Sequence, residues 1–317
     1  MSEMLTLAVD VESGDCERAL FIKAVLRAVS NFNHPVKVIF CGEEPQIKKA
    51  LNNMGALSES AQVKIEHSSD IIEPTDRSSS VWKNRPNSSV VRAVALQKEG
   101  VAQVTLSAGD TRVLMSSALF LLGLQNKIQR PALALFLPTA QKREMLFLDV
   151  GANLDCKADQ LVDFGLLGFE HFAKQFAKDI PSVALLNVGV ESNKGTKAVL
   201  AASEILSQKC EGYVGFIEGN QVLSGNVDVV VCDGFIGNIL LKSFENFYSL
   251  AVLATEKNPE LLSGLIDNMT ILNRDSYGAA PLLGLNGTVY KAHGASSAKA
   301  IENATEVALR AGLAANK

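Results

Sequence analysis

The residues with the clearest chemical potential follow a strongly apolar run in the second half of the chain. Residues 227–232 read VDVVVC, the composition of a strand that is covered on both faces. The sequence DGFIGN comes next, and periodic apolar residues then predict a helix through Leu250. Open α/β sheets bind their ligands at such a position, between a strand end and a helix N-terminus. We therefore expect Asp233, Asn238 and Lys242 to face a ligand.

Further polar segments lie between an apolar run and a predicted helix. They are residues 107–111, 151–153, 187–195 and 293–299. The first places Gly109 and the hydroxyl of Thr111 at a helix N-terminus, where backbone N–H groups favour an anion. Asn153 can donate to an anion or form a local turn. Ser296 or Ser297 is expected to cap the terminal helix, and the pair is also a candidate substrate contact.

Composition narrows the class of protein. The 317 residues are 47% hydrophobic, enough for two domains with their own cores. The net charge of -4 implies no general attraction to nucleic acid or membrane. Five scattered cysteines favour reduced thiols in the cytoplasm, and the four histidines show no zinc spacing, so we predict neither a metal nor a cofactor. No apolar run approaches the roughly 20 residues that span a bilayer, and the N-terminus does not resemble a signal peptide.

Apolar strands alternate with helices along the chain, which predicts doubly wound, mostly parallel α/β sheets. We expect two α/β lobes whose strand-end loops face a cleft between them, with a boundary at the polar break Pro138 to Arg143. The first lobe is placed at residues 1–138 with about 291–317, and the second at residues 139–290. The polar residues 68–89 around the single tryptophan, Trp82, are expected to form a long exposed loop.

Four segments resemble, in the same order, segments of the bacterial phosphate acyltransferases called PlsX. The run VDVVVCDGFIGNILLKSFE is similar to the family's VVCDGFVGNVVLKT. The others are SAGDT at residues 107–111, LDVGANLDCK at 148–157 and YGAAPLLGLNGTVYKAHGASSAKA at 277–300. The resemblance covers nearly the whole chain, best after about Ser88 and least between Asn31 and Asn87.

This resemblance implies an enzyme that forms acyl phosphate from acyl carrier protein and inorganic phosphate, for phospholipid synthesis. Such a reaction needs donors for the charge that develops on the thioester oxygen, and positioning can supply much of its rate without a covalent nucleophile. The leaving thiol, with a pKa near 8.5, needs little help from an acid. The resemblance also implies the fold of isocitrate dehydrogenase-like and phosphotransacetylase-like proteins.

The resemblance suggests catalytic roles for Lys194, Asn238 and Asp233. Lys194 keeps the Lys-Gly of the family's IGEEEIKGN and is the best candidate for a cation that neutralises phosphate; a solvated lysine is the alternative. His293 ranks below it, since a histidine there is more often structural than a base. The substrate-binding candidates are Asp10, Gly14, Asp15, Gly109, Asp110, Thr111, Arg112, Asn153, Lys242, His293, Ser296 and Ser297.

The chain departs from the family at its anion loops. Arg112 stands where the family has glycine, and Asn220 with Gln221 replaces the Arg-Asp of the family's EGRD. We expect Arg112 to turn inward and replace the missing arginine, with pairing to Asp110 as the other arrangement. A weakened paralogue that binds or regulates, and a transacylase that uses acyl-CoA, stay open as alternatives. A nicotinamide dehydrogenase is disfavoured, because no Gly-x-Gly-x-x-Gly follows the first strand.

The implied partners are acyl carrier protein, inorganic phosphate, a second copy of the chain and a membrane glycerol-3-phosphate acyltransferase, with no nucleic acid. Acyl carrier protein is acidic, so we predict a local basic patch. Its candidates are Lys83 with Arg85, Lys127 with Arg130, and Lys142 with Arg143. A peripheral contact with the inner face of the membrane is known in the family, but residues 244–272 are poor in basic side chains, which favours a dimer interface there.

Overall fold

The computed structural model describes residues 4–55, 57, 62–257, 278–293 and 297–315. The chain divides into two compact units, Met1–Gln125 with Tyr277–Lys317, and Asn126–Ser276. Helices alternate with strands in both, so the predicted α/β class is confirmed. The division differs from the sequence-based one, which extends the first lobe to residue 138 and resumes it at about residue 291.

Strands and helices follow one another along the chain. The first are β1 (Leu5–Asp10), α1 (Arg18–Ser30), β2 (Val36–Gly42), α2 (Glu44–Asn52), β3 (Gln62–His67), α3 (Val81–Asn84), α4 (Ser89–Lys98), β4 (Val104–Ser107) and α5 (Thr111–Leu122). Next come β5 (Ala132–Pro138), β6 (Glu144–Leu148), α6 (Ala158–Phe176), β7 (Val183–Leu186), α7 (Lys197–Lys209), β8 (Tyr213–Ile217), β9 (Val229–Val231) and α8 (Gly234–Lys257). The last are β10 (Ala279–Leu283), β11 (Thr288–Ala292) and α9 (Ala298–Ala315).

In the first unit the strand order is β3-β2-β1-β4-β11-β10. Neighbouring strands are parallel except β10 and β11, which pair antiparallel. Leu7 and Val9 belong to a buried cluster with residues of α1 and α9, whereas Ala8 packs in a cluster with α4. Because side chains alternate along a strand, the next even-numbered residue, Asp10, points to the face that α4 covers.

In the second unit the strand order is β5-β6-β9-β7-β8. All neighbours are parallel except β5 and β6, which form an antiparallel hairpin. The polar residues 138–143 make the turn of that hairpin, with Thr139 donating N–H and Oγ–H to the carbonyl of Arg143 at 2.9 and 2.8 Å. Their polarity thus serves a turn inside one unit, whereas the sequence places a lobe boundary there.

The segment expected to be a long exposed loop is partly folded onto α5. It contains a 3-10 turn at Ser78–Ser80 and the short helix α3. Ser116 Oγ of α5 donates to the carbonyl of Ser78, and the ring of Trp82 stacks on Phe120 with centroids 4.7 Å apart. Local polar composition predicted the loop, but these tertiary contacts order its middle.

Candidate active site

A row of polar side chains crosses the first unit's sheet at the carboxyl ends of its parallel strands. Asp10 of β1 is in register with Ser107 of β4, and Ser107 is in register with Lys291 of β11. Residues in register on adjacent strands point to the same face of a sheet. Asp10, Ser107 and Lys291 therefore lie side by side, and we call them the polar row.

The carboxylate of Asp10 is fully buried and is held by four hydrogen bonds. Ser89 Oγ and Ser107 Oγ each donate to it at 2.6 Å. The backbone N–H groups of Glu12 and Ser13 donate to the same carboxylate at 3.2 and 3.3 Å. A buried charge is costly unless it is hydrogen-bonded in this way. Asp10 thus shapes the loop that follows β1 and has little capacity left for a ligand.

The loops after β1 and β4 touch. A Cβ built on Gly109 would lie 2.5 Å from the Cβ of Ser13, so only glycine permits this approach. Gly14 has a φ of +112° and packs against Ala108. The Gly109 N–H donates to Ser107 Oγ at 3.0 Å and therefore supports the loop. Asp15 at the end of the first loop is exposed.

Asp110 caps the N-terminus of α5, where its carboxylate accepts the N–H groups of Arg112 at 2.9 Å and Val113 at 3.2 Å. Thr111 begins the helix and is half-buried. The Arg112 guanidinium turns outward to Asp110, 3.2 Å away, with 69% of its side chain exposed. Burial alone would raise the pKa of Asp110, but these hydrogen bonds lower it overall. The inward arrangement expected for Arg112 is therefore wrong: Asp110, 47% exposed, is not a buried carboxylate in need of an inward cation.

Lys291 is a candidate that the sequence reasoning did not single out. Its Nζ donates to the carbonyl of Ala108, at 3.3 Å, and to that of Ala292. Burial lowers the pKa of Lys291 to about 8, although the negative charges of Asp10, Asp110 and Asp15 oppose the fall. The sequence feature that could have pointed to Lys291 is a single charged residue near the end of the otherwise uncharged strand segment TVYKA.

The residues after β11 are placed as follows. His293 is exposed, two residues beyond Lys291. Ser297 Oγ accepts the N–H of Ala300 at 3.2 Å, so the predicted cap of the terminal helix is confirmed for Ser297. Ser296 lies outside the described residues.

A second buried aspartate organises the second unit in a similar way. Asp149, at the carboxyl end of β6, accepts the N–H groups of Gly151, Ala152 and Asn153 at 3.1, 2.9 and 2.7 Å. Leu133 N–H also donates to it at 3.2 Å. Burial raises the pKa of Asp149, and the hydrogen bonds from the loop act against that rise.

Asn153 supports this arrangement with its side chain. Its Nδ2 donates to the Asp149 carboxylate and to the Pro131 carbonyl, both at 2.8 Å. An amide nitrogen carries two hydrogens, and these two bonds use both of them. The expectation that Asn153 donates to a substrate therefore changes to a role in holding the loop.

The first turn of α8 packs against the same loop. A Cβ on Gly237 would overlap the carbonyl oxygen of Asp149, so glycine is required. Asp233 caps the helix, accepting the N–H of Ile236 at 2.9 Å. Asn238 lies beside Gly151, whose Cβ would be 3.6 Å from that of Asn238.

Asn238 and Lys242 keep polar groups available near this turn. In the part of the chain that the structure describes, neither side chain makes a hydrogen bond or ion pair. They are four residues apart on α8 and so share one face of the helix. Lys242 is exposed and Asn238 is half-buried.

Lys194 lies on the exposed loop after β7. Its Nζ pairs with Glu191 Oε1 at 2.7 Å, and this hydrogen bond raises the pKa of Lys194. Asn187 Nδ2 holds the loop by donating to the carbonyls of Lys194 and Gly189, at 2.7 and 3.1 Å. Since β6, β9 and β7 are parallel neighbours, their loops meet at one edge of the second unit's sheet. That edge brings together the loops of Asn153, Lys194 and Asn238.

The cysteines of this edge are poor nucleophiles. Burial raises the pKa of Cys156 to about 12 and that of Cys232 well above its ordinary value. A thiol acts as a nucleophile only as its thiolate. Over the described ranges, no three His, Cys, Asp or Glu side chains gather as metal ligands would. Each unit's strand edge, taken by itself, instead offers groups such as amides, hydroxyls or ammonium groups that can position and polarise a ligand.

Comparison with known proteins identifies the family. A family model described as "Fatty acid synthesis protein" matches residues 5–315. The phosphate acyltransferase of Vibrio campbellii is 36% identical, with 95% of this chain and 91% of the relative aligned. That of Pelotomaculum thermopropionicum is 37% identical, with 96% and 90% aligned.

The fold is shared with solved structures of low sequence identity. A phosphotransacetylase from Streptococcus pyogenes matches with a TM-score of 0.67 at 17% identity, covering 99% of this chain and 94% of that one. A branched-chain phosphotransacylase from Enterococcus faecalis matches with a TM-score of 0.61 at 15% identity, covering 98% and 99%. The family model covers nearly the whole chain, and the named relatives are 36% and 37% identical to it over almost the same length. The chain therefore belongs to the phosphate acyltransferase family of fatty acid synthesis proteins.

Proposed function

We propose that this chain forms acyl phosphate from an acyl-[acyl carrier protein] thioester and inorganic phosphate, and so supplies phospholipid synthesis. The proposal rests on the sequence identity of this chain, 36% and 37% along nearly its whole length, to relatives named phosphate acyltransferase. In the reaction a phosphate oxygen attacks the thioester carbonyl carbon and forms a C–O bond. The C–S bond then breaks, and the carrier leaves as a thiol that takes up the proton released from phosphate.

The available side chains suit this chemistry. We assign the binding of phosphate to the polar edge of the first unit, around Ala108 to Thr111. We assign to Asn238 a hydrogen bond to the thioester carbonyl oxygen, which becomes negative in the transition state. The side-chain amide of Asn238 is available for this because it makes no hydrogen bond within the described residues. Asp233 fixes the helix turn that carries Asn238. Lys194 is a further candidate for neutralising phosphate.

The carrier protein is the partner that this function requires. Of the three basic pairs considered, Arg85 is bound to Asp76 at 3.0 Å and Arg143 approaches Asp228 at 3.6 Å. Lys127 and Arg130 are both exposed and take part in none of the ion pairs formed among the described residues. We therefore assign the docking of the acidic carrier to the pair Lys127 and Arg130.

We also propose a cytoplasmic homodimer that delivers acyl phosphate to a membrane glycerol-3-phosphate acyltransferase. Within the described residues no helix combines the length and apolarity needed to cross a bilayer. The side chains of Phe247, Leu250 and Leu253 on α8 are more than half exposed, and this apolar surface supports a dimer interface. Measuring the mass in solution tests the dimer, and flotation with vesicles tests contact with the inner face of the membrane.

The central experiment incubates the pure protein with acyl-[acyl carrier protein] and phosphate and traps acyl phosphate with hydroxylamine. We expect product from the wild type and a lower kcat in Asn238→Ala. The matched control is Asn33→Ala, an exposed asparagine that precedes β2 and so lies toward the amino ends of the strands. Folded wild-type protein that makes no acyl phosphate would overturn the proposal. A preference for acyl-CoA over the carrier would favour a transacylase instead.

A further inference from the structure

The position of Lys291 sets it apart from the other lysines of the first unit. It is half-buried near the carboxyl end of β11, in register with Ser107 and next in the polar row. Its Nζ lies 3.3 Å from the carbonyl oxygen of Ala108, at the start of the loop that leads to α5. The ammonium group therefore sits beside the loop to which phosphate binding is assigned.

The nearby acidic groups have partners of their own. Asp10 is held by four donors, and Asp110 by the backbone and guanidinium of Arg112 together with the N–H of Val113. Asp15 is exposed to solvent. Among the described residues no ion pair includes Lys291, and its Nζ donates to backbone carbonyls. A partly buried ammonium group whose acceptors are neutral carbonyls is stabilised strongly when a soluble anion binds beside it.

We propose that Lys291 is a cation that binds the phosphate substrate, by donating to a phosphate oxygen beside the loop from Ala108 to Thr111. The inference rests on the proposed function and names the residue that recognises one of its two substrates. The carbonyl oxygens of Ala108 and Ala292, to which Lys291 donates, carry only partial negative charges. A phosphate oxygen carries a larger negative charge and is therefore a stronger acceptor for the ammonium group.

The same geometry makes phosphate binding dependent on pH. Burial holds the pKa of Lys291 at about 8, and Asp10, Asp15 and Asp110 are the acidic groups whose charges favour its protonated form. Arg112, paired with Asp110, and His293, two residues along the chain, are the other titratable groups of this edge. As the pH rises through about 8, Lys291 loses its charge in the free enzyme. The phosphate KM should then rise roughly tenfold for each pH unit above that value.

The test compares Lys291→Met, Lys291→Arg and the matched control Lys64→Met, an exposed strand lysine. Initial rates are measured against phosphate and against acyl-[acyl carrier protein] from pH 7 to 9.5. At pH 7 we expect Lys291→Met to raise the phosphate KM by about tenfold or more and to leave the acyl-carrier KM within about twofold. Lys64→Met should resemble the wild type.

Lys291→Arg separates the charge from a structural role, because arginine stays protonated over this range. We expect its phosphate KM to stay flat where that of the wild type rises. An unchanged phosphate KM in Lys291→Met, or a rise in Lys291→Arg that follows the wild type, would overturn the assignment. If Lys291→Met fails to fold, the pH profile of Lys291→Arg decides. Absence of acyl phosphate from the wild type would instead overturn the proposed function itself.

Discussion

Replacing Asp149 by asparagine tests whether one buried carboxylate holds the loop beside α8. The substitution keeps the size and shape of the side chain but turns one acceptor oxygen into an NH2 group. If that group takes the position of Oδ2, the backbone N–H and the Nδ2 of Asn153 both lose their acceptor. If it takes the position of Oδ1, the N–H groups of Leu133, Gly151 and Ala152 lose theirs.

The magnitude follows from the donors left without a partner. Each buried unsatisfied donor costs about 1–3 kcal/mol, and at least two are created. Part of this cost is offset, because burial raises the pKa of Asp149 and so already destabilises its ionised form. We expect Asp149→Asn to lower the free energy of unfolding by about 2–4 kcal/mol, which corresponds to a Tm lower by roughly 4–16 °C for a unit of this size.

The assay is thermal unfolding followed by circular dichroism, with acyl phosphate formation measured on the same samples. The matched control is Asp155→Asn, an exposed carboxylate six residues further along, which should change the stability by less than about 0.5 kcal/mol. We also expect kcat to fall in Asp149→Asn, since Asn238 packs against the loop that Asp149 holds. Equal Tm values for the two variants would refute the view that these hydrogen bonds hold the loop.

Three further predictions concern exposed charges. Arg112→Gly should leave the phosphate KM unchanged, because the guanidinium faces Asp110 and solvent; a large loss of phosphate binding would restore the inward arrangement. Lys194→Ala should leave Tm unchanged, since exposed ion pairs contribute little, and should raise the phosphate KM; if the KM equals that of the wild type, Lys194 is only a surface lysine. The double variant Lys127→Glu with Arg130→Glu should raise the KM for acyl-[acyl carrier protein] and flatten its dependence on salt, while the KM for phosphate stays constant.

The parallel α/β architecture could be predicted because strands buried on both faces are continuous apolar runs. The segment VVVCDGFIGN shows this directly, since its strand and its helix follow from composition, whereas the cap that Asp233 makes appears only in the structure. The polar turn at residues 138–143 shows the limit. Proline and polar residues suit a hairpin turn and a linker equally, and only the pairing of β5 with β6 separates them.

The hairpin of β10 and β11 was missed although a signal was present. Asn286 and Gly287 stand between the two strands, and such a pair favours tight hairpin turns. Pro281 within β10 weakens the strand pattern that should have accompanied it. The setting of Lys291 could not be foreseen, because its register with Ser107 is a contact between residues far apart in the chain.

Residue type also failed to reveal which polar groups are free. Asn153 and Asn238 both lie in polar segments near a strand end, and the sequence makes Asn238 a catalytic candidate and Asn153 either a substrate donor or a turn former. The structure uses both amide hydrogens of Asn153 for Asp149 and Pro131 and uses neither of those of Asn238 within the described residues. Whether an amide is available depends on its neighbours in space, which one sequence does not show.

The first unit is built from two separated parts of the chain, and this sets an order for its assembly during translation. The ribosome makes β1 to β4 first, then the whole second unit, and only afterwards β11 and α9. Until then β4 has an open edge where β11 will pair, and the apolar faces that Ile301 and Leu309 will cover are exposed. A nascent chain at this stage exposes apolar surface of the kind that chaperones bind, and the edge to which we assign phosphate binding lacks Lys291 until the second unit has been made.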